Sequence, residues 1–154
     1  MIEAPARPQG PALLEVRDLH GWYGESHVLH GVSLDLHEGE TITLVGRNGA
    51  GKTTTLRAIM NLLPRREGSI RIAGADMMKV PVHRTAYSGI GYVPEERGIF
   101  ATLTVSENLM LPPTVAPGGM TIEEIYDLFP NLAERRNSPG TKLSGGEQQM
   151  LAIA

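Results

Sequence analysis

Apolar and polar positions alternate over residues 13–16 and again from Val28 to Leu36, the period of half-buried antiparallel strands. Between them Gly21-Trp22-Tyr23-Gly24 reads as a turn that carries two aromatics. Glu38-Gly39-Glu40 is a tight turn into residues 41–45, a short, β-branched, apolar run that predicts a buried strand. The period then lengthens. Leu56, Ile59, Met60 and Leu63 fall at i, i+3, i+4 and i+7, which predicts a helix over 51–63 closed by Pro64. Residues 68–72 alternate again, and Gly74 ends that run. Residues 77–88 admit a short helix after Pro81, and residues 90–93 predict another strand, stopped by Pro94. Thr104 with Glu107, and Thr121 with Glu124, have the spacing of capping boxes. Ile125, Leu128 and Phe129 continue an apolar face behind the second box. Prolines 112, 113 and 117 with Gly118-Gly119 make the loop between these two helices, and residues 147–154 read as a further helix. Residues 1–11, rich in Pro and Ala, predict a flexible tail. The order of elements suggests an α/β fold with a smaller helical region.

Composition narrows the function. The chain has 154 residues, with 14 Lys+Arg against 17 Asp+Glu and a formal net charge of −3. That balance argues against binding nucleic acid by bulk charge. The apolar share of 41% and charged share of 20% fit a globular chain. Mean hydropathy is −0.12, and no apolar stretch approaches the ~20 residues of a membrane span. The N-terminal residues lack an apolar stretch of the kind a secretory signal needs. With no cysteine, disulfides, thiolate metal sites and Cys nucleophiles are excluded. The five histidines show no metal-ligand spacing and read as surface or turn residues.

Gly46-Arg47-Asn48-Gly49-Ala50-Gly51-Lys52-Thr53 fits G-x-x-x-x-G-K-[ST] between a predicted strand and a predicted helix. Glycines let successive backbone N–H groups curl around an anion. The helix start adds free N–H groups and the positive end of its dipole. Lys52 is placed to stabilise β- and γ-phosphate oxygens, and Thr53 offers a hydroxyl to Mg²⁺. The loop, with Thr54, is therefore a candidate site for ATP and Mg²⁺.

Leu143-Ser144-Gly145-Gly146-Glu147-Gln148 follows, with Ser144 ninety-eight positions after Gly46. The pair of motifs resembles the nucleotide-binding subunit of ABC transporters. The resemblance implies a P-loop NTPase core (an ABC ATPase core) with N-terminal antiparallel strands and a helical subdomain at roughly 104–143. It covers about residues 12–154 and ends within the helix that follows the signature. It implies that Ser144, Gly145 and Gly146 touch the γ-phosphate of ATP held by a partner subunit, in a head-to-tail dimer. Tyr23 stands where the family places an aromatic that stacks on adenine, and the Tyr-Gly register favours it over Trp22. After Tyr92-Val93-Pro94 the wider family has a Gln near Mg²⁺, and this chain has Glu95. A carboxylate there can approach Mg²⁺ or its water, so Glu95 joins Thr53 as a candidate metal contact.

Residues 28–34, the run 91–95, Gly98-Ile99-Phe100, residues 103–109 and residues 126–132 are most similar to the ATPases of branched-chain amino acid importers. Importers of urea, amides or other amino acids share much of this pattern. The family's acidic strand and γ-phosphate-sensing His follow the signature helix, and neither occurs in these 154 residues. The expectation is a C-terminally truncated copy with no catalytic base of its own, and its alternative reading is a nucleotide-binding fragment without turnover. The implied partners are a second ATP-binding subunit, two membrane permease subunits and, indirectly, an external solute-binding protein. The implied location is the cytoplasmic face of the membrane, held peripherally.

Overall fold

Residues 10–115 and 117–154 are described by the computed structural model, so most of the expected tail over 1–11 lies outside the described residues. The chain divides into two units, one reaching to Ile90 and one over Gly91–Ala154.

The first unit is built on four antiparallel strands in the order β2-β1-β3-β4. These are β1 (Leu14–Tyr23), β2 (Ser26–Leu36), β3 (Arg65–Ile72) and β4 (Ala75–Asp76). β1 runs on through Trp22 and Tyr23, so the expected four-residue turn is wrong. Tyr23 pairs with Ser26, and the hairpin closes on Gly24-Glu25 alone, with Gly24 at φ 55°. A two-residue hairpin loop needs positive φ, which glycine supplies without strain.

β1 carries a bulge at Asp18. Val16 pairs with Leu34 and Leu19 with Val32, so two residues of β1 oppose one of β2. Asp18 has φ 47°, and its N–H donates to Ser33 Oγ at 3.0 Å. On the other side β3 yields with Gly68 at φ 108°, where a Cβ would lie 2.3 Å from Asp18 O. The bulge changes the parity of the strand. Leu14 and Val16 face the core before it, and Leu19 and Gly21 after it.

Helix α1 (Lys52–Ile59) lies against β2. It stops earlier than Pro64 predicts. Asn61 takes φ 61°, Leu62 N–H donates to Arg57 O at 2.8 Å and Asn61 N–H to Ala58 O at 3.1 Å. These are the two bonds of a Schellman C-cap, with Asn in the left-handed position. The buried face is Thr55, Ala58 and Ile59, while Leu56 points outward. Ala58, Ile59, Leu63 and Met77 join Leu14, Val16, Leu19, Leu29, Ile70 and Ile72 in one core. Arg66 closes the helix end, donating to Ala58 O at 2.7 Å and to the carbonyls of Met77 and Met78 at 3.2 Å. Half-burial pushes its guanidinium below the usual arginine range.

Two expected strands do not form. Residues 41–45 have no ladder partner among the described residues, and Val45 is 85% exposed. An apolar strand of this kind is held by neighbours on both sides, and residues 41–45 join neither edge of the antiparallel sheet. Residues 90–93 likewise have no ladder partner among the described residues. The short helix after Pro81 does form, as a 3-10 helix over Val82–Ser88.

The second unit is helical, with α2 (Val105–Met110), α3 (Ile122–Leu128), α4 (Pro130–Glu134) and α5 (Gly145–Ile153). Both expected capping boxes are present, at Thr104–Glu107 and Thr121–Glu124. Leu128 lies outward rather than on the buried face, and after it Pro130 forces Phe129 out of helical geometry and restarts the chain as α4. Val105, Leu132, Leu143 and Leu151 form the core, with Ile99, Leu109, Tyr126, Phe129 and Met150 packed around it.

Candidate functional site

The Gly46–Thr53 loop meets α1 at Gly51, which takes φ 91° as the N-cap and leaves the helix without a side-chain cap. The first N–H groups of α1 are thus kept from side-chain acceptors, which suits an incoming anion. Gly49 is also left-handed, at φ 83°. Lys52 folds back over the loop, and its Nζ donates to Gly46 O and Arg47 O, each at 2.9 Å. An ammonium has three donors, so one remains for a ligand while the other two hold the loop closed. Arg47, Asn48, Gly49 and Ala50 are exposed, Ala50 N–H bonding back to Arg47 O at 3.1 Å. Thr53 is exposed at the first turn of α1, Thr54 is half-buried, and Thr55 turns inward to bond Gly51 O at 2.9 Å.

The loop and the adenine candidate share the first unit. A Cβ on Gly51 would lie 3.0 Å from Leu29 Cδ2 and 3.6 Å from Val28 O, so the helix start rests on β2. Two residues along β2 is Ser26, the ladder partner of Tyr23. Because of the bulge, Tyr23 shares the strand face of Leu19 and Gly21, and its side remains 41% exposed. Trp22 faces the other way and is already stacked on His27, ring centroids 4.3 Å apart. The register therefore brings Tyr23, not Trp22, to the side of the sheet that carries the phosphate loop.

The signature segment lies in the second unit. Leu143 is buried as its anchor, and Ser144, Gly145 and Gly146 stand exposed at the start of α5. Ser144 caps α5 through a third capping box, its N–H donating to Glu147 Oε2 at 2.7 Å and its Oγ accepting from Glu147 N–H at 3.3 Å. Sequence reasoning missed this box, although Ser144-x-x-Glu147 has the spacing of the two boxes it found. The Ser144 N–H, then its hydroxyl, then Arg135 at 3.2 Å hold the Glu147 carboxyl below its usual range. Gln148 donates to Gly140 O at 2.9 Å and accepts from Arg97 Nη1 at 2.8 Å. Glu147 and Gln148 thus serve the scaffold, and the small residues face outward. A Cβ on Gly145 would crowd the Arg97 guanidinium at 3.2 Å, whereas a Cβ on Gly146 would meet open space. Glu95 is an exposed residue of the same unit, in a turn closed by Arg97 N–H on Pro94 O.

These two motifs on this scaffold match known proteins. The profile described as ABC transporter matches residues 29–154. The chain belongs to the ABC transporter family of ATP-binding proteins. It is 39% identical over 141 residues to the high-affinity branched-chain amino acid transport ATP-binding protein BraG of Pseudomonas aeruginosa, covering 86% of this chain and 58% of that protein. It is 38% identical over 149 residues to the lipopolysaccharide export system ATP-binding protein LptB of Escherichia coli, covering 93% and 61%. A solved structure of an ATP-binding subunit of an ABC transporter superposes with a TM-score of 0.74 at 33% identity, over 92% of this chain and 60% of that one. This ABC ATP-binding chain thus spans little more than half the length of the curated relatives it matches. Among the described residues no helix is long and apolar enough to cross a membrane.

Proposed function

We propose that this chain is the nucleotide-gripping part of an importer ATPase that drives uptake of branched-chain amino acids. The observation that carries the nucleotide part is Lys52, held over a phosphate loop whose helix start has no side-chain cap. Similarity to BraG, together with residues 91–95 and 103–109, supports the solute class. Similarity to LptB at nearly the same identity makes the competing cargo lipopolysaccharide.

In this reading the backbone N–H groups of residues 46–53 and the Lys52 ammonium bind the ATP phosphates, and Tyr23 stacks on the adenine. Thr53 is the hydroxyl ligand for Mg²⁺ and Glu95 its candidate carboxylate. Bound there, Mg²⁺ would neutralise charge on the β- and γ-phosphate oxygens. Ser144, Gly145 and Gly146 close over the γ-phosphate of ATP bound to a second subunit, and the open space at Gly146 leaves room for that approach. The second unit also carries a groove of about 400 Å³ whose lining includes Tyr92, Ile99, Phe100, Leu109, Leu111 and Leu151. In this reading the groove receives a short apolar helix of a permease subunit, which would hold the protein at the cytoplasmic face of the membrane.

The test is uptake by the natural gene product reconstituted with its membrane partners and solute-binding protein in vesicles. ATP-dependent uptake of labelled leucine, abolished by Lys52→Ala, is the expected result. Uptake of urea instead, or lipopolysaccharide extraction without leucine uptake, overturns the solute assignment. Unchanged ATP binding in Lys52→Ala overturns the nucleotide assignment.

A further inference from the structure

The outward face of the β1–β2 hairpin, opposite Tyr23, carries a cluster that the nucleotide site does not use. His20 and Trp22 come from β1, His27 and His30 from β2, and the Arg65 guanidinium of β3 stands 4.3 Å over the Trp22 ring. Trp22 and His27 stack nearly parallel, at 9°. His20 Nδ1 and His27 Nε2 are 3.0 Å apart, and the other nitrogen of His20 faces Asp18 Oδ1 at 3.2 Å.

A carboxylate on one imidazole nitrogen keeps the proton there and turns the lone pair to the other. Asp18 thereby makes Nε2 of His20 the donor and aims its Nδ1 lone pair at His27. Two nitrogens bound to one ion at 2.0–2.1 Å are about 2.9 Å apart at a right angle and about 3.4 Å apart at the tetrahedral angle. The pair stands within that span, joined by a hydrogen bond that an ion would replace. Stacking on Trp22 fixes the plane of His27, so little ordering is left to do. The Arg65 guanidinium over Trp22 is paired with Glu67 at 3.4 Å.

We propose that His20 Nδ1 and His27 Nε2 form a two-nitrogen chelate for a late first-row divalent cation, with Asp18 orienting His20 and water completing the shell. Imidazole ligands and the order of divalent affinities favour Cu²⁺ over Ni²⁺ and Zn²⁺. Among the described residues no three His, Cys, Asp or Glu side chains are grouped to hold a metal. The site is therefore an open, exchangeable one rather than a structural one. It is also separate from any Mg²⁺ at Thr53, which calls for oxygen ligands.

Trp22, the single tryptophan, is a built-in reporter. CuCl₂ titrated into the full chain without nucleotide should quench its emission saturably at one ion per chain, and ZnCl₂ should compete. His20→Gln and His27→Gln should each remove the saturable phase, while His83→Gln keeps it. Asp18→Asn, a residue that tolerates the same left-handed backbone, should raise the half-quenching concentration about tenfold. Far-UV circular dichroism identifies any variant that fails to fold, and the wild-type titration stands without them. Only weak, linear quenching of the wild type, or saturable quenching that survives in the His20→Gln/His27→Gln double variant, overturns the proposal. An unchanged midpoint in Asp18→Asn overturns the orienting role of Asp18.

Discussion

Lys52 bonds two carbonyls of its own loop at 2.9 Å and still has a donor to offer. A ligand phosphate would replace neutral acceptors with charged ones, and charge-assisted bonds are worth about 1.5–3 kcal/mol. Lys52→Ala should therefore weaken ATP binding about 10- to 100-fold, read by calorimetry. The neighbouring aromatics make a sharper comparison. Tyr23→Ala should weaken ATP binding by the ~1–3 kcal/mol of a lost base stack. Trp22→Ala should leave nucleotide affinity unchanged, because its ring is engaged with His27 on the opposite face. Equal losses in both variants would contradict the parity set by the bulge at Asp18. That bulge is why this choice was only half legible in the sequence. The motif register favours Tyr23, but simple alternation from Leu14 and Val16 assigns the core face to Trp22.

At the scale of elements, three capping boxes open α2, α3 and α5. Removing the hydroxyl in Thr104→Ala, Thr121→Ala or Ser144→Ala should cost about 1 kcal/mol each, measured by chemical denaturation. The boxes also set an acid response. In all three, a backbone N–H bond, from Thr104, Thr121 or Ser144, is the main cause that lowers the pKa of Glu107, Glu124 or Glu147 from 4.5. A depressed folded pKa contributes stability that is present above the unfolded value and lost as pH falls through the folded one. The second unit should thus lose stability on acidification below about pH 4.5, and Glu107→Gln/Glu124→Gln/Glu147→Gln should flatten that slope. Two of these boxes were readable from spacing alone, because a capping box is a local device. Asn61 shows the opposite case. Periodicity carried the helix on to Leu63, and the left-handed Asn61 ended it at Ile59 through bonds the pattern does not display.

For the whole molecule, packing is uneven along the chain. Val16, Leu19 and Ile70 are fully buried in the first core, while residues 41–45 lead into the phosphate loop without ladder partners. Hydrogen exchange in the 154-residue chain should show slow amides at these three core positions and fast ones at residues 42–45. Protection of residues 42–45 equal to that of β1 would show a pairing absent from this fold. Arg66 tests the first core from within. It satisfies three carbonyls with a half-buried charge, so Arg66→Ala should destabilise the unit by about 2–3 kcal/mol, visible as a lowered denaturation midpoint.

Sequence alone determined the phosphate loop, the signature, the family they mark and the two threonine capping boxes. Each depends on residue types at short fixed spacings, where backbone geometry and local hydrogen bonds suffice. Tertiary structure decided which face Tyr23 takes, where α1 stops, that residues 41–45 stay unpaired, and that Asp18, His20, His27 and Trp22 come together. Those outcomes depend on register between strands. The bulge at Asp18, accommodated only because Gly68 lacks a Cβ, moves every β1 side chain after it to the other side of the sheet, and two further register shifts, between Leu19 and Gly21 and between Gly21 and Trp22, set which β2 residues face them.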